Sequence, residues 1–130
     1  MVVTFYEKPG CSTNAKQKKS LIEAGCMLIE RNLLDNGLSK SELYEFLDDV
    51  PTSQWFNLNA PKIKKGEIDT AVLFEDEILE LFMNEPILIN RPLLIIDGNK
   101  MCGFNQEKIE NLLNVKLYSK ISNACTNPNN

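Results

Sequence analysis

The sequence predicts an α/β fold in which a β-α-β opening and a β-β-α close flank a helical insertion. Three observations predict it. Val2 to Tyr6 is a short apolar, β-branched run ended by Pro9-Gly10 and followed at once by a helical stretch. Asp97-Gly98 is a hairpin signal between the apolar run Ile87 to Ile96 and the segment Lys100 to Phe104. Between these halves the apolar residues recur at helical spacing. A chain of 130 residues, 43% hydrophobic and 25% charged, has room for one ordinary core and no second one.

Each element follows in order. After Cys11, the stretch from Ser12 to Ala24 reads as a helix, with Ser12, Thr13 and Asn14 offering oxygens to its first turn and Gly25 supplying a left-handed cap. Met27 to Leu34 reads as the second strand, a buried one that Cys26 begins as a packed residue. Ser39 to Glu42 is a capping box ahead of Leu43, Phe46 and Leu47, and Pro51 ends that helix. Trp55 and Phe56 read as core of the insertion, and Lys62, Lys64 and Lys65 as a solvated loop. Glu75, Asp76 and Glu77 give a further helix the acidic first turn that its dipole favours. Asn105 caps a last helix carrying Ile109, Leu112 and Leu113. Residues 1–114 therefore form one domain of thioredoxin-like, glutaredoxin-type architecture with a helical insertion at about 38–86. Residues 115–130 are polar, Asn-rich and expected to be a disordered tail.

Composition excludes several function classes. There is no histidine, so Ser-His and Cys-His nucleophile pairs and imidazole metal sites are ruled out. The net charge of -4 argues against direct nucleic-acid binding, which draws most of its affinity from neutralised phosphates. No apolar run approaches the roughly 20 residues of a membrane span, and MVVTFYEKPG is no secretory signal. A cytoplasmic protein without membrane contact is expected. Cys11, Cys26, Cys102 and Cys125 are spaced irregularly, with no CxxC pair for zinc or an iron–sulfur cluster. They read as four separate thiols with no metal site. Cys125, in the tail, has the reach of a resolving thiol, although nothing in the sequence requires one.

Cys11 stands at a strand-to-helix junction. A helix N-terminus offers unpaired amides and partial positive charge, which favour thiolate over thiol and lower a thiol pKa from ~8.5 into the range of about 3.5 to 7.5. The same position also suits a buried helix-cap cysteine packing as a small hydrophobe. Arg91, set among ten largely apolar residues, is either an anion-binding fork or a cation at a strand entrance, paired with Glu85 or Asp49.

With these residues in view, FYEKPGCSTNAKQKKSLIEAG and NRPLLIIDGNKMCGFNQEKIENLL resemble the arsenate reductase (ArsC) and Spx family of the thioredoxin superfamily. WFNLNAPKIKKGEI and the lone cysteine of EKPGC look most like its nitrogenase-associated branch. The resemblance covers about residues 2 to 113. It implies that Cys11 is the nucleophile, and that Arg91 and Ser12 meet an anionic substrate beside Pro92, the family's cis-proline. It further implies no bound cofactor, with glutathione as co-substrate and glutathione, glutaredoxin or a nitrogenase-related protein as partner. Spx-like relatives bind RNA polymerase, so a non-enzymatic regulatory module is the rival expectation.

The departures weigh against arsenate reduction. Glu7 and Ala15 stand where the glutaredoxin-coupled enzymes place His and Arg. No Arg lies between Arg31 and Arg91, and Gly103 replaces a third oxyanion Arg. Each charge-assisted contact contributes on the order of 1.5 to 3 kcal/mol, so losing two weakens oxyanion binding by ~10² or more. Asn14 replaces the second thiol of the Spx switch, leaving a monothiol motif. The expected activity is monothiol redox or accessory chemistry at Cys11, resolved by an external thiol such as glutathione. Weak arsenate reduction ranks third.

Overall fold

A computed structural model describes residues 1–117. Strand β1, Val2–Glu7, leads through the Pro9-Gly10 loop into helix α1, Ser12–Glu23, and strand β2, Met27–Asn32. The insertion carries helices α2, Lys40–Leu47; α3, Pro61–Lys64; and α4, Glu75–Asn84. Strands β3, Leu93–Ile96, and β4, Asn99–Cys102, form the hairpin, and helix α5, Gln106–Leu113, closes the described chain. The sheet runs β2-β1-β3-β4, with β1 parallel to β2 and antiparallel to β3. This is the expected α/β architecture.

Side-chain alternation divides the sheet into two cores. Val3 and Phe5 of β1, with Leu94 and Ile96 of β3, face α1 and α5 through Leu21, Phe104 and Ile109. Tyr6 and Leu93 face the insertion, where they meet Leu43, Phe46, Trp55, Ile78 and Phe82. The rings of Tyr6 and Phe46 pack edge to face at 5.7 Å, as do Phe56 and Phe82 at 5.3 Å. Trp55 is fully buried, and its indole N–H donates to the Val50 carbonyl at 2.9 Å. The insertion is thus a layer of the core rather than a surface appendage.

Local signals placed most elements. The Ser39 and Glu42 side chains accept from each other's backbone N–H, at 3.1 and 3.0 Å. Asp97 and Gly98 both take positive φ, 50° and 76°, as a tight hairpin requires.

Five expectations need correction. Ile87 to Ile96 is not one strand: Pro86–Leu88 forms a 3₁₀ turn, Ile89 makes an isolated bridge to Phe56, and β3 starts only at Leu93. The segment expected as a lysine-rich loop contains α3, because Pro61 at its first position removes an N–H that no helix bond needs. The second strand stops at Asn32, and Leu33–Asp35 turns as a 3₁₀ segment. As the sheet's outer strand, β2 is mostly exposed, although Cys26 before it is buried as expected. Within the segment expected as a tail, Leu117 is buried in the α1–α5 core, and its N–H donates to Glu110 at 2.8 Å. The remainder of that expected tail lies outside the described residues.

Candidate functional site

The site begins with how α1 starts. Cys11, not Ser12, is its N-cap, with extended backbone (φ -74°, ψ 116°). Its Sγ accepts from the Asn14 N–H at 3.4 Å, and its N–H donates to the Lys8 carbonyl at 3.1 Å. Sulfur therefore takes the place the sequence reading gave to oxygen, and the first-turn amide points at the atom whose thiolate it would stabilise. Asn14 is fully buried and ties the loop to the helix. Its Oδ1 accepts from the Lys8 N–H at 3.2 Å, and its Nδ2 donates to Gln17 Oε1 at 2.9 Å. Sequence reasoning treated Asn14 only as a cap and an absent thiol. Ser12 is exposed on the first turn.

The β1–β3 register brings Arg91 and Pro92 to the same end of the sheet. Tyr6 pairs with Leu93, so the residues before Leu93 run alongside those after Tyr6, where the Cys11 loop departs. The Arg91-Pro92 bond is cis, as the resemblance implied. The Pro92 carbonyl accepts from the Gly103 N–H at 2.8 Å, and the Asn90 N–H donates to the Trp55 carbonyl at 2.8 Å.

Arg91 is 1% exposed, and none of its three guanidinium nitrogens has a hydrogen-bond partner among the described residues. Burial pushes it below its ordinary value. It meets neither Glu85 nor Asp49, which pair with Lys62 and Lys108. A buried, unpartnered fork of five donors carries a desolvation cost that an anion set against it would offset.

Glu7 is no free base. It pairs with Lys18 of α1 at 2.8 Å, and Lys18 also meets Glu30 of β2 at 2.9 Å. Burial draws the Lys18 pKa down, but hydrogen bonds and charge from both carboxylates outweigh it and hold it above the ordinary value. The triad fastens α1 to both parallel strands.

The expectation of four separate thiols is overturned at Cys11, which is 3% exposed and disulfide-bonded. Spacing in the chain could not show this, because folding rather than sequence separation decides which sulfurs meet. Cys26 and Cys102 are free thiols. Cys125 lies outside the described residues. Among the described residues no cluster of His, Cys, Asp or Glu could hold a metal ion, and no helix is long and apolar enough to cross a membrane.

Beside Asn90 opens a cavity of about 500 Å³, lined among others by Asn57, Asn90, Cys102, Gly103 and Asn105. Cys11 does not line it. Cys102 points its thiol at the Asn90 and Gln54 carbonyls, 3.6 and 3.9 Å away, and burial pushes it up from 9.0 to about 12. Its folded-state value is raised, so the stability it contributes is intact below the unfolded value and declines as pH rises from about 9 toward 12. Alkaline urea titrations should show that decline, and Cys102→Ala should flatten it. Iodoacetamide should label Cys102 at about pH 8 only after unfolding.

A four-stranded mixed sheet, a cysteine capping the first helix and a cis-proline at the same end of the sheet define a protein of the thioredoxin-like class. Within that class, the ArsC family model matches residues 6–112, and the chain belongs to the ArsC family. An uncharacterized 15.7 kDa protein in the draG 3′ region of Rhodospirillum rubrum is 36% identical over 107 residues, covering 82% of this chain and 75% of that protein. The global transcriptional regulator Spx of Listeria innocua is 27% identical over 114 residues, covering 86% and 87%. The crystal structure of an ArsC family related protein from Bacteroides fragilis superposes with a TM-score of 0.75 at 28% identity, covering 86% and 98%.

Proposed function

We propose that this ArsC-family chain is a cytoplasmic thiol-redox or accessory protein that uses Cys11, in metallocluster metabolism associated with nitrogenase. One observation carries the redox reading. The cysteine that caps α1, facing the Asn14 amide, is the one engaged in a disulfide, while Cys26 and Cys102 remain thiols. The nitrogenase association draws support from the family branch that the insertion resembles and from the relative in the draG 3′ region.

The chemistry follows from the residues. In the reduced protein, first-turn amides and the helix dipole favour the Cys11 thiolate. That thiolate attacks a sulfur of a disulfide substrate. Arg91 holds an anionic group of the same substrate, and Pro92 presents the chain against which it lies. Asn14 stands where a second motif thiol would be, so the motif itself is monothiol. The adduct is resolved from outside it, by glutathione, glutaredoxin or another thiol.

A second reading, an Spx-like module that binds a protein partner without catalysis, is favoured by Ala15 and Gly103 at oxyanion-arginine positions and by the Spx relatives. Weak arsenate reduction ranks below both. The rate of iodoacetamide alkylation against pH separates the first two. In fully reduced protein, Cys11 should label with an apparent pKa well below ~8.5, and Cys11→Ser should lose that fast phase. A slow Cys11 with an unshifted profile would favour the binding module.

A further inference from the structure

We infer that Asn14 and Gln17 are positioning residues that hold the Asn14 N–H on Cys11 Sγ and so set the acidity of the Cys11 thiol. The inference deepens the redox reading above and rests on it.

The residues between β1 and α1 form one tight turn. The Cys11 N–H donates to the Lys8 carbonyl at 3.1 Å across Pro9 and Gly10, and Gly10 has φ 84°. That is the pattern of a type II turn, in which proline presets the first central residue and glycine takes the positive φ of the second. Asn14 clamps both ends of it. Its Oδ1 accepts from the Lys8 N–H at 3.2 Å, and its own N–H donates to Cys11 Sγ at 3.4 Å. The second bond is present with Cys11 in a disulfide, so the amide is in place before any thiolate charge forms.

Gln17 decides which way the Asn14 carboxamide faces. The two stand three residues apart on one face of α1, both fully buried. The Lys8 N–H is a donor and nothing else, so it requires the oxygen of Asn14. That turns Nδ2 toward Gln17, whose Oε1 accepts from it at 2.9 Å. An apolar side chain at position 17 would fill the same space but leave Nδ2 unpaired. An unpaired amide in a core is costly, so Asn14 would turn away and release Lys8 and the turn that carries Cys11. Both carboxamides are uncharged and act on the thiol through position alone. The charged groups at this end of the sheet are Lys8, Lys16, the Glu7–Lys18–Glu30 triad and Arg91 ahead of β3. Substitutions at positions 14 and 17 leave all of them in place.

The test is the rate of iodoacetamide labelling of Cys11 against pH in the fully reduced full-length chain, with peptides mapped by mass spectrometry. Asn14→Ala and Gln17→Met are compared with wild type, and urea denaturation fixes the conditions under which each is folded. Both variants should raise the apparent pKa of Cys11 by about one pH unit, the scale of one hydrogen bond lost from the thiolate, without lowering the plateau rate above it. A purely structural pair would lower the urea midpoint and leave the profile of the folded protein unmoved. Wild-type labelling with an apparent pKa well below ~8.5, and the same profile in both variants, would overturn the inference and leave Cys11 standing as a nucleophile. A shift in Asn14→Ala alone would overturn the part given to Gln17. Amide hydrogen exchange needs no variant: the Lys8 N–H should be protected in reduced wild type, and free exchange there would overturn the clamp. A slow, unshifted Cys11 in wild type would bring down the redox reading and the inference together.

Discussion

Arg91→Met should make the protein more stable and blind to anions at the same time. The guanidinium is 1% exposed with no hydrogen-bond partner among the described residues, so in the absence of ligand it carries a desolvation cost that nothing offsets. Replacing a buried ion pair by well-packed apolar side chains of similar volume is often neutral or stabilising by about 1 to 4 kcal/mol, and a lone buried charge lacks even the partner's attraction. An unpartnered charge belongs at the upper end of that range. Urea denaturation in a phosphate-free buffer should show the gain.

Added phosphate or sulfate should stabilise wild type by RT ln(1 + [L]/Kd), about 2.7 kcal/mol at a hundredfold excess over Kd. The variant should not respond. Loss of stability in Arg91→Met, with an unchanged phosphate response, would show that Arg91 holds the fold and not a ligand.

Trp55→Ala should cost about 3 to 5 kcal/mol, the usual range for a large aromatic removed from a core. That is a sizeable share of the roughly 5 to 15 kcal/mol by which a domain is stable. The effect should reach beyond a cavity. The Trp55 indole fastens the turn at Val50, its ring meets Tyr44 edge to face, and its carbonyl takes the Asn90 N–H. Asn90 immediately precedes Arg91, so the substitution releases the segment that sets the guanidinium and the cis bond. Weakened phosphate stabilisation in Trp55→Ala, at a urea concentration where the protein is still folded, would register that release. Trp55→Phe, which keeps an aromatic ring but loses part of the volume and the indole N–H, should lose less stability than Trp55→Ala. An unchanged phosphate response in Trp55→Ala would separate the insertion from the site.

Elements governed by neighbours in sequence were legible in advance. The Ser39–Glu42 box, the Asp97-Gly98 turn and the Asn105 cap each rest on atoms a few residues apart, and each formed as read. The β-α-β opening and the β-β-α close follow from apolar period and turn residues, which sufficed for the fold class. The split of Ile87 to Ile96 was not legible. A continuous apolar run looks alike whether it pairs in a sheet, turns as a 3₁₀ segment or bridges to Phe56, and only its partners distinguish these.

The site divides along the same line. From the sequence alone came the cysteine at a strand-to-helix junction, the arginine and proline beside it, and the absence of histidine that removes imidazole chemistry. Tertiary structure alone decided how each is held. Glu7, read from the sequence only as standing where the arsenate reductases place His, became the partner of Lys18 because α1 lies across β1 and β2. Arg91 lost both pairings weighed for it, since Glu85 and Asp49 found lysines, and it was buried with its donors unused. Cys11 became the helix cap and entered a disulfide, while two other cysteines stayed thiols. Caps and turns are short-range terms that a sequence carries within a few residues. Charge pairing, desolvation and sulfur–sulfur contact depend on which distant residues share a space, and folding alone makes that choice.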